Sequence, residues 1–232
     1  MRRLIPFASV VLLVALAVWA DDKQSAAPDE EEFVMLFNGK DLSGWIYGTM
    51  KGKEHKQGAG YQVDPERGVL YTTETDGGNL YTEKQYANFV FRFEFKLTPG
   101  ANNGVALRGP REGNAAYLGM ESQILDDTAE KYAKLRPAQY HGSIYDLFPS
   151  KRGHLKPVGD WNEEEITVNG RHVTVKLNGA TIVEANLDDV KDEAVLKRHP
   201  GLKRTGGHLG FLGHGAAVEF RNLRIKELPS TK

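Results

Sequence analysis

The chain has 232 residues, enough for one large domain or two small ones with a sizeable core and no need of a covalent staple. With 40% hydrophobic and 26% charged residues it has an ordinary globular composition, and 30 Lys and Arg against 31 Asp and Glu argue against nucleic acid or an anionic membrane as main partner. The absence of Cys removes disulfides, thiolate chemistry, zinc knuckles and iron–sulfur clusters together.

Arg2 and Arg3 precede an apolar run from Leu4 to Trp19, interrupted by Pro6 and Ser9 and followed by Ala20 and Asp21. This is the three-part plan of a secretory signal, and it predicts a signal peptide over 1–20, cleaved after Ala20, with the mature chain periplasmic or extracellular. As a membrane anchor the run falls short of the ~20 clean apolar residues that span a bilayer, so the mature chain is expected to carry no transmembrane segment. Residues 21–32, with six acids, read as a flexible acidic tether, and 33–229 as a single domain.

From Phe33 onward the pattern is β. Phe89, Phe91, Phe93, Phe95 and Leu97 alternate with Arg92, Glu94 and Lys96, a period of two that predicts a half-buried antiparallel strand. The segment 165–183 contains Asn169-Gly170 and Asn178-Gly179 between β-branched runs, predicting a three-stranded meander with type I′ turns. A closing strand over 217–228 changes register near Asn222. Short strands, Gly-rich turns and 25 Gly point to an all-β, two-sheet sandwich or jelly roll. Short helices are expected within Asp127 to Leu135 and Leu187 to Arg198.

The chain has no phosphate-binding loop, dinucleotide fingerprint, GxSxG elbow or HExxH pair. A retaining glycosidase needs two carboxyl groups roughly 5 Å apart. In Tyr117-Leu-Gly-Met-Glu-Ser-Gln-Ile-Leu-Asp-Asp127, Glu121 and Asp126 are five apart and point to opposite faces of an ideal strand. That segment instead places Tyr117, Glu121 and Gln123 on one face and Leu118, Met120 and Ile124 on the other.

Arg108 alternates with Val105 and Leu107 in the same manner. A carboxylate, a carboxamide and a guanidinium on one sheet face suit sugar hydroxyls and carbonyls, while a cross-strand ion pair between Glu121 and Arg108 is the structural alternative. His214 sits with His208 among five Gly in 206–215, where a neutral imidazole can act as acid or base, and His141 lies near Tyr145. No pair has a strong metal-ligand spacing.

Five segments, Leu36-Phe-Asn-Gly-Lys-Asp-Leu-Ser-Gly-Trp45, Gly78 to Phe89, Gln123-Ile-Leu-Asp-Asp127, Trp161-Asn162 and Gly213-His-Gly through Leu228, together resemble the 3-keto-disaccharide hydrolase domain family, in order along nearly the whole mature chain. The resemblance implies a concanavalin A-like jelly roll and an enzyme that opens 3-keto-glycosides. Many members carry Gln-Asp-His-Gly where this chain has Leu212-Gly-His-Gly215, so the role of an acid before the His does not transfer.

The implied chemistry is proton removal beside the ketone, elimination of the aglycone and addition of water. It gives the base role to His214 or Glu121, an enolate or hydroxyl contact to Arg108, and orienting or substrate-binding roles to Gln123, Tyr145, Lys151, Trp161 and His141. Asp126 and Asp127 either hold a loop or ligate a divalent cation, the only cofactor implied. A separate sugar oxidoreductase would supply the ketone. The alternative is a non-catalytic, lectin-like sugar-binding module with Trp45 and Trp161 as stacking platforms.

Overall fold

The computed structural model describes residues 32–48, 60–73 and 78–229; the expected signal peptide, and the tether up to residue 31, lie outside the described residues. In chain order the elements are β1 (Val34–Met35), β2 (Trp45–Gly48), β3 (Tyr61–Asp64), β4 (Val69–Thr72), β5 (Asn79–Tyr86), β6 (Phe89–Leu97), β7 (Asn102–Gly109), α1 (Ala115–Leu118) and β8 (Met120–Leu125). They continue with β9 (Trp161–Asn169), β10 (His172–Leu177), β11 (Ala180–Asn186), α2 (Glu193–Arg198), β12 (Gly207–Leu212) and β13 (Val218–Glu227). Among the described residues no helix is long and apolar enough to cross a membrane.

Two antiparallel sheets carry the fold. The larger runs β11-β10-β9-β6-β13-β4-β3 with β1 added against β13, and the smaller runs β2-β5-β12-β7-β8. The period-two pattern of β6 buries Phe89, Phe91, Phe93 and Phe95 completely. Phe91 and Phe93 meet Phe211 of β12, whose ring also stacks on Phe220 at 4.1 Å, so one aromatic seam joins the sheets. The opposite face of β6 enters charged pairs, Arg92 with Glu165 and Lys96 with Glu219.

The meander is β9-β10-β11, and its two turns differ. Asn178 and Gly179 both have positive φ, as a type I′ turn requires. At the other turn only Gly170 does, because Asn169 still pairs with His172 and the two-residue loop is Gly170-Arg171. Asn222 has φ 54°, and the register of β13 against β6 shifts between Arg221 and Arg224, the slip legible in its side-chain pattern.

The helical patches are shorter than their apolar spacing predicts. Only a 3-10 turn at Glu130–Tyr132 forms in the first. The second splits into a 3-10 turn at Leu187–Asp189 and α2, whose Asp192 cap accepts from the amides of Ala194 and Val195. Tyr117, expected at the start of a strand, instead belongs to α1, because the Asn114 side chain accepts from Ala116 N and starts a helical turn.

Candidate active site

The face of the smaller sheet turned away from the core carries the cleft. Along β8 the alternation sends Ser122 and Ile124 inward and Glu121 and Gln123 outward. On β7 the residues beneath them are Gly104 and Ala106, opposite Gln123 and Glu121 respectively. β8 is an edge strand, and the loop after it covers that edge: Gln123 N donates to Ser143 O, Gly142 N to Gln123 O and Tyr145 N to Glu121 O. This covering segment brings Tyr145 to the wall of the cleft. The turn after β12 brings His214, with Gly213 N bonded to Gly78 O and Gly215 at φ 72°.

The resulting cleft has a volume of about 160 Å³ and is lined by Asn79, Asn102, Asn114, Ala115, Ala116, Tyr117, Glu121, Gln123, Tyr145, Leu212 and His214. Asn102 Oδ1, Glu121 Oε1 and Gln123 Oε1 are buried and find no hydrogen-bond partner among the described residues. Buried acceptors are normally satisfied, so three of them around one cleft mark a place for donors that a ligand brings.

Glu121 is almost wholly enclosed. Burial, reinforced by the charge of Asp146, raises its pKa to about 8, so near neutrality it keeps its proton. The imidazole of His214 is exposed on one side, but the atoms crowded around the rest of it lower its pKa and favour the neutral ring. Burial first, then Asp146, raises the phenol of Tyr145, which accepts from Gln139 Nε2 at 3.1 Å. Tyr117 donates to Asp146 Oδ2 at 3.4 Å.

Four expected site residues lie elsewhere. Arg108 is buried with φ 51°, a left-handed conformation that breaks the alternation of β7 and sends its side chain away from the cleft. Its guanidinium donates to Ala87 O at 2.7 Å, Gly170 O at 2.9 Å, Asn88 Oδ1 at 3.0 Å and Arg204 O at 3.4 Å, clamping the hairpin ends that surround it. Its partners are three backbone carbonyls and the Asn88 side chain, and not Glu121 as the ion-pair alternative required. His141 is buried in the sandwich, its Nδ1 accepting from Leu125 N and its Nε2 3.1 Å from Glu164 Oε2, an approach too oblique for a good hydrogen bond. Lys151 is exposed outside the cleft, and its amide donates to Ile182 O. Trp161 lies on the outer face of the larger sheet, packed against Lys96 and Arg221.

Asp126 and Asp127 serve the loop that follows β8. Asp126 accepts from Gly100 N, Thr128 N and Thr128 Oγ1, and Asp127 accepts from His141 N while facing Arg152. The oxygens of these two carboxylates are spent on loop donors, and no group of three or more His, Asp and Glu converges on one point among the described residues.

Asn79, Asn102, Asn114 and Asp146 also belong to the site or its margin and are not among the residues expected from the sequence. Asn79 and Asn102 open strands beside glycines, Gly78 and the Gly104 two residues on, which is the one local signal they offer. Asn114 caps α1 while Asp146 follows Tyr145 at φ 60°, and neither position shows in a period-two pattern.

The geometry has relatives. A 3-keto-disaccharide hydrolase of Bacteroides thetaiotaomicron is 27% identical over 86% of this chain and 80% of its own length. The crystal structure of a candidate glycosyl hydrolase from Parabacteroides distasonis superposes with a TM-score of 0.68 at 27% identity, covering 87% of this chain and 96% of that one. A protein of galectin-like fold from Bacillus subtilis, 12% identical with a TM-score of 0.55, covers 86% of this chain and 96% of its own and shares the fold. The profile of the 3-keto-alpha-glucoside-1,2-lyase-like domain matches residues 32–226, nearly all of the described chain, and this protein belongs to that family.

Proposed function

We propose that this chain is a carbohydrate-active hydrolase that cleaves 3-keto-glycosides by proton abstraction beside the ketone and β-elimination of the aglycone. The observation that carries the reading is the convergence of three unpartnered buried oxygens, a carboxyl group that keeps its proton near neutral pH and a neutral imidazole on one cleft. Its membership of the family and the name of its Bacteroides relative support the ketone as the activating group.

Each step follows from the groups present. His214 takes the proton from the second carbon of the sugar, which the neighbouring ketone acidifies, and the C–H electron pair becomes the double bond between the first and second carbons. The glycosidic oxygen leaves with its bonding pair, and the Glu121 carboxyl supplies its proton. Water then adds at the first carbon of the enone while the second carbon regains a proton, completing a net hydrolysis. A pocket-facing cation is not supplied by Arg108, so charge developing on the ketone oxygen is met by neutral donors: the amides of Asn79, Asn102 and Gln123 and the phenol of Tyr145. The unpartnered oxygens accept from the sugar hydroxyls.

The sugar-binding-module alternative loses its platforms at this cleft: Trp45 is buried and stacked on Phe211 at 5.9 Å, and Trp161 belongs to the larger sheet, where it packs against Lys96 and Arg221 and does not line the cleft. Export to the periplasm or medium and a separate sugar oxidoreductase upstream complete the proposed role, since a ketone at the third carbon has to be made by an oxidation. Matched 3-keto and unmodified disaccharides, incubated with the protein and followed by mass spectrometry, test the reading. Cleavage of the keto form alone is expected; equal cleavage of both, or retention of sugar without turnover, contradicts it.

A further inference from the structure

Asp146 is the most constrained charged residue beside the cleft. Its carboxylate is buried, and it holds φ 60°, a conformation that costs free energy for any residue but glycine. Arg136 donates to both of its oxygens, at 2.7 and 2.9 Å, while the arginine side chain itself stays exposed. Tyr117 donates to Oδ2 from the cleft side, and Asp146 N bonds to Ala138 O. Its neighbour Tyr145 is bonded to the backbone of Glu121, which places the two carboxyl groups on adjoining segments.

We propose that Asp146 is a positioning residue of this cleft: clamped by Arg136, it fixes the Tyr117 ring and holds a negative charge close to Glu121. Burying a carboxylate beside a second carboxyl group is costly even when it is paired, so its retention, with a dedicated arginine outside and a tyrosine inside, calls for a role. Burial is the main reason that Glu121 keeps its proton, and the Asp146 charge adds to it. The inference rests on Glu121 acting as proton donor in the reading above.

The other ionisable groups facing Glu121 are Tyr81 from β5, Tyr117 from α1, Tyr145 from the covering segment and His214 from the turn after β12. Behind Tyr117 stand His199, its ring tilted by 48° against the tyrosine at 4.8 Å between centroids, and Arg198. None of them supplies a negative charge near neutral pH, which leaves Asp146 as the anion that acts on Glu121.

Two substitutions of opposite electrostatic sign test this. Asp146→Asn keeps the shape and removes the charge; Arg136→Gln removes the neutralising cation from an exposed position. The alkaline limb of kcat/KM should move down by about half a pH unit or more in the first and up in the second, with KM changing less than kcat. A residue that merely braced the loop would move neither limb, or both in one direction. In parallel, the Glu121 carboxyl is titrated directly by infrared difference spectroscopy against Glu121→Gln. If the direct titration moves with opposite signs while the kinetic limbs stay put, the inference about Asp146 stands and the role of Glu121 as acid fails. An unchanged Glu121 titration in folded Asp146→Asn overturns the inference.

Discussion

Glu121 occupies the space that a side chain on Gly104 would fill: a Cβ built on Gly104 would stand 1.9 Å from Glu121 Oε1 and 2.6 Å from Cδ. Van der Waals contact between such atoms begins beyond 3 Å, so the missing Cβ of one strand is what lets the carboxyl of the next lie flat on the sheet and point into the cleft. Gly104 is not at a positive φ, and the requirement is for space alone. Gly104→Ala should therefore displace Glu121 and lower kcat by about 100-fold or more while the domain stays folded. Steady-state kinetics alongside circular dichroism check this, and near-normal turnover in the alanine variant would sink the geometry proposed for Glu121.

His214 and Glu121 together predict the shape of the pH profile. The acid limb of kcat/KM belongs to His214 and should lie below the usual imidazole value of 6.5, because crowding lowers it. The alkaline limb belongs to Glu121 and should lie near 8. His214→Ala should lose at least ~100-fold in turnover and with it the acid limb. A loss under threefold with unchanged folding removes His214 from the proton transfer.

The raised pKa of Glu121 also has a cost in stability. A carboxyl whose folded pKa is about 8 against an ordinary 4.5 favours the folded state fully only below 4.5, and that contribution is lost as pH rises toward 8, because the unfolded chain ionises first. Glu121→Gln has no proton to hold, so its stability should be flatter over this window. It should melt at least about 4 °C above the wild type at pH 8 and lose the difference near pH 4. Scanning calorimetry at both pH values decides it, and parallel melting curves would show that Glu121 ionises as freely as in water.

Arg108 should behave as a structural residue. Arg108→Ala takes the guanidinium from the carbonyls of Ala87 and Gly170 and leaves Asn88 Oδ1 with the Gly170 amide alone, and should cost about 2–4 kcal/mol of folding stability. In the fraction that remains folded, kcat should be close to normal. Intact stability with abolished turnover would return Arg108 to the chemistry.

Much of this was legible in the sequence where a single strand decides the outcome. The alternation of Phe89 to Leu97 and the slip at Asn222 needed no partner strand to be read, and Glu121 and Gln123 share a face because β8 is regular. Alternation fails where φ turns positive, which is how Arg108 left the face shared by Glu121 and Gln123. It is silent about distance: Lys151, Trp161 and His141 come near the cleft in sequence but are carried off by the long loop, the other sheet and the core. Asp146 and Asn114 act from turns, where position is set by the loop that covers the edge of β8 and by the cap of α1, and no short-range pattern encodes either.

Solvent deuterium reads elimination through a carbanion at the second carbon directly. A 3-keto-disaccharide is turned over in D2O and the first product is sampled before free keto-sugar exchanges by itself. One deuterium at the second carbon of the released sugar, with no cleavage of the unmodified disaccharide, is the predicted result. Release of a product with no deuterium there would mean that the bond breaks without proton removal at that carbon, and would contradict the mechanism proposed for His214 and Glu121.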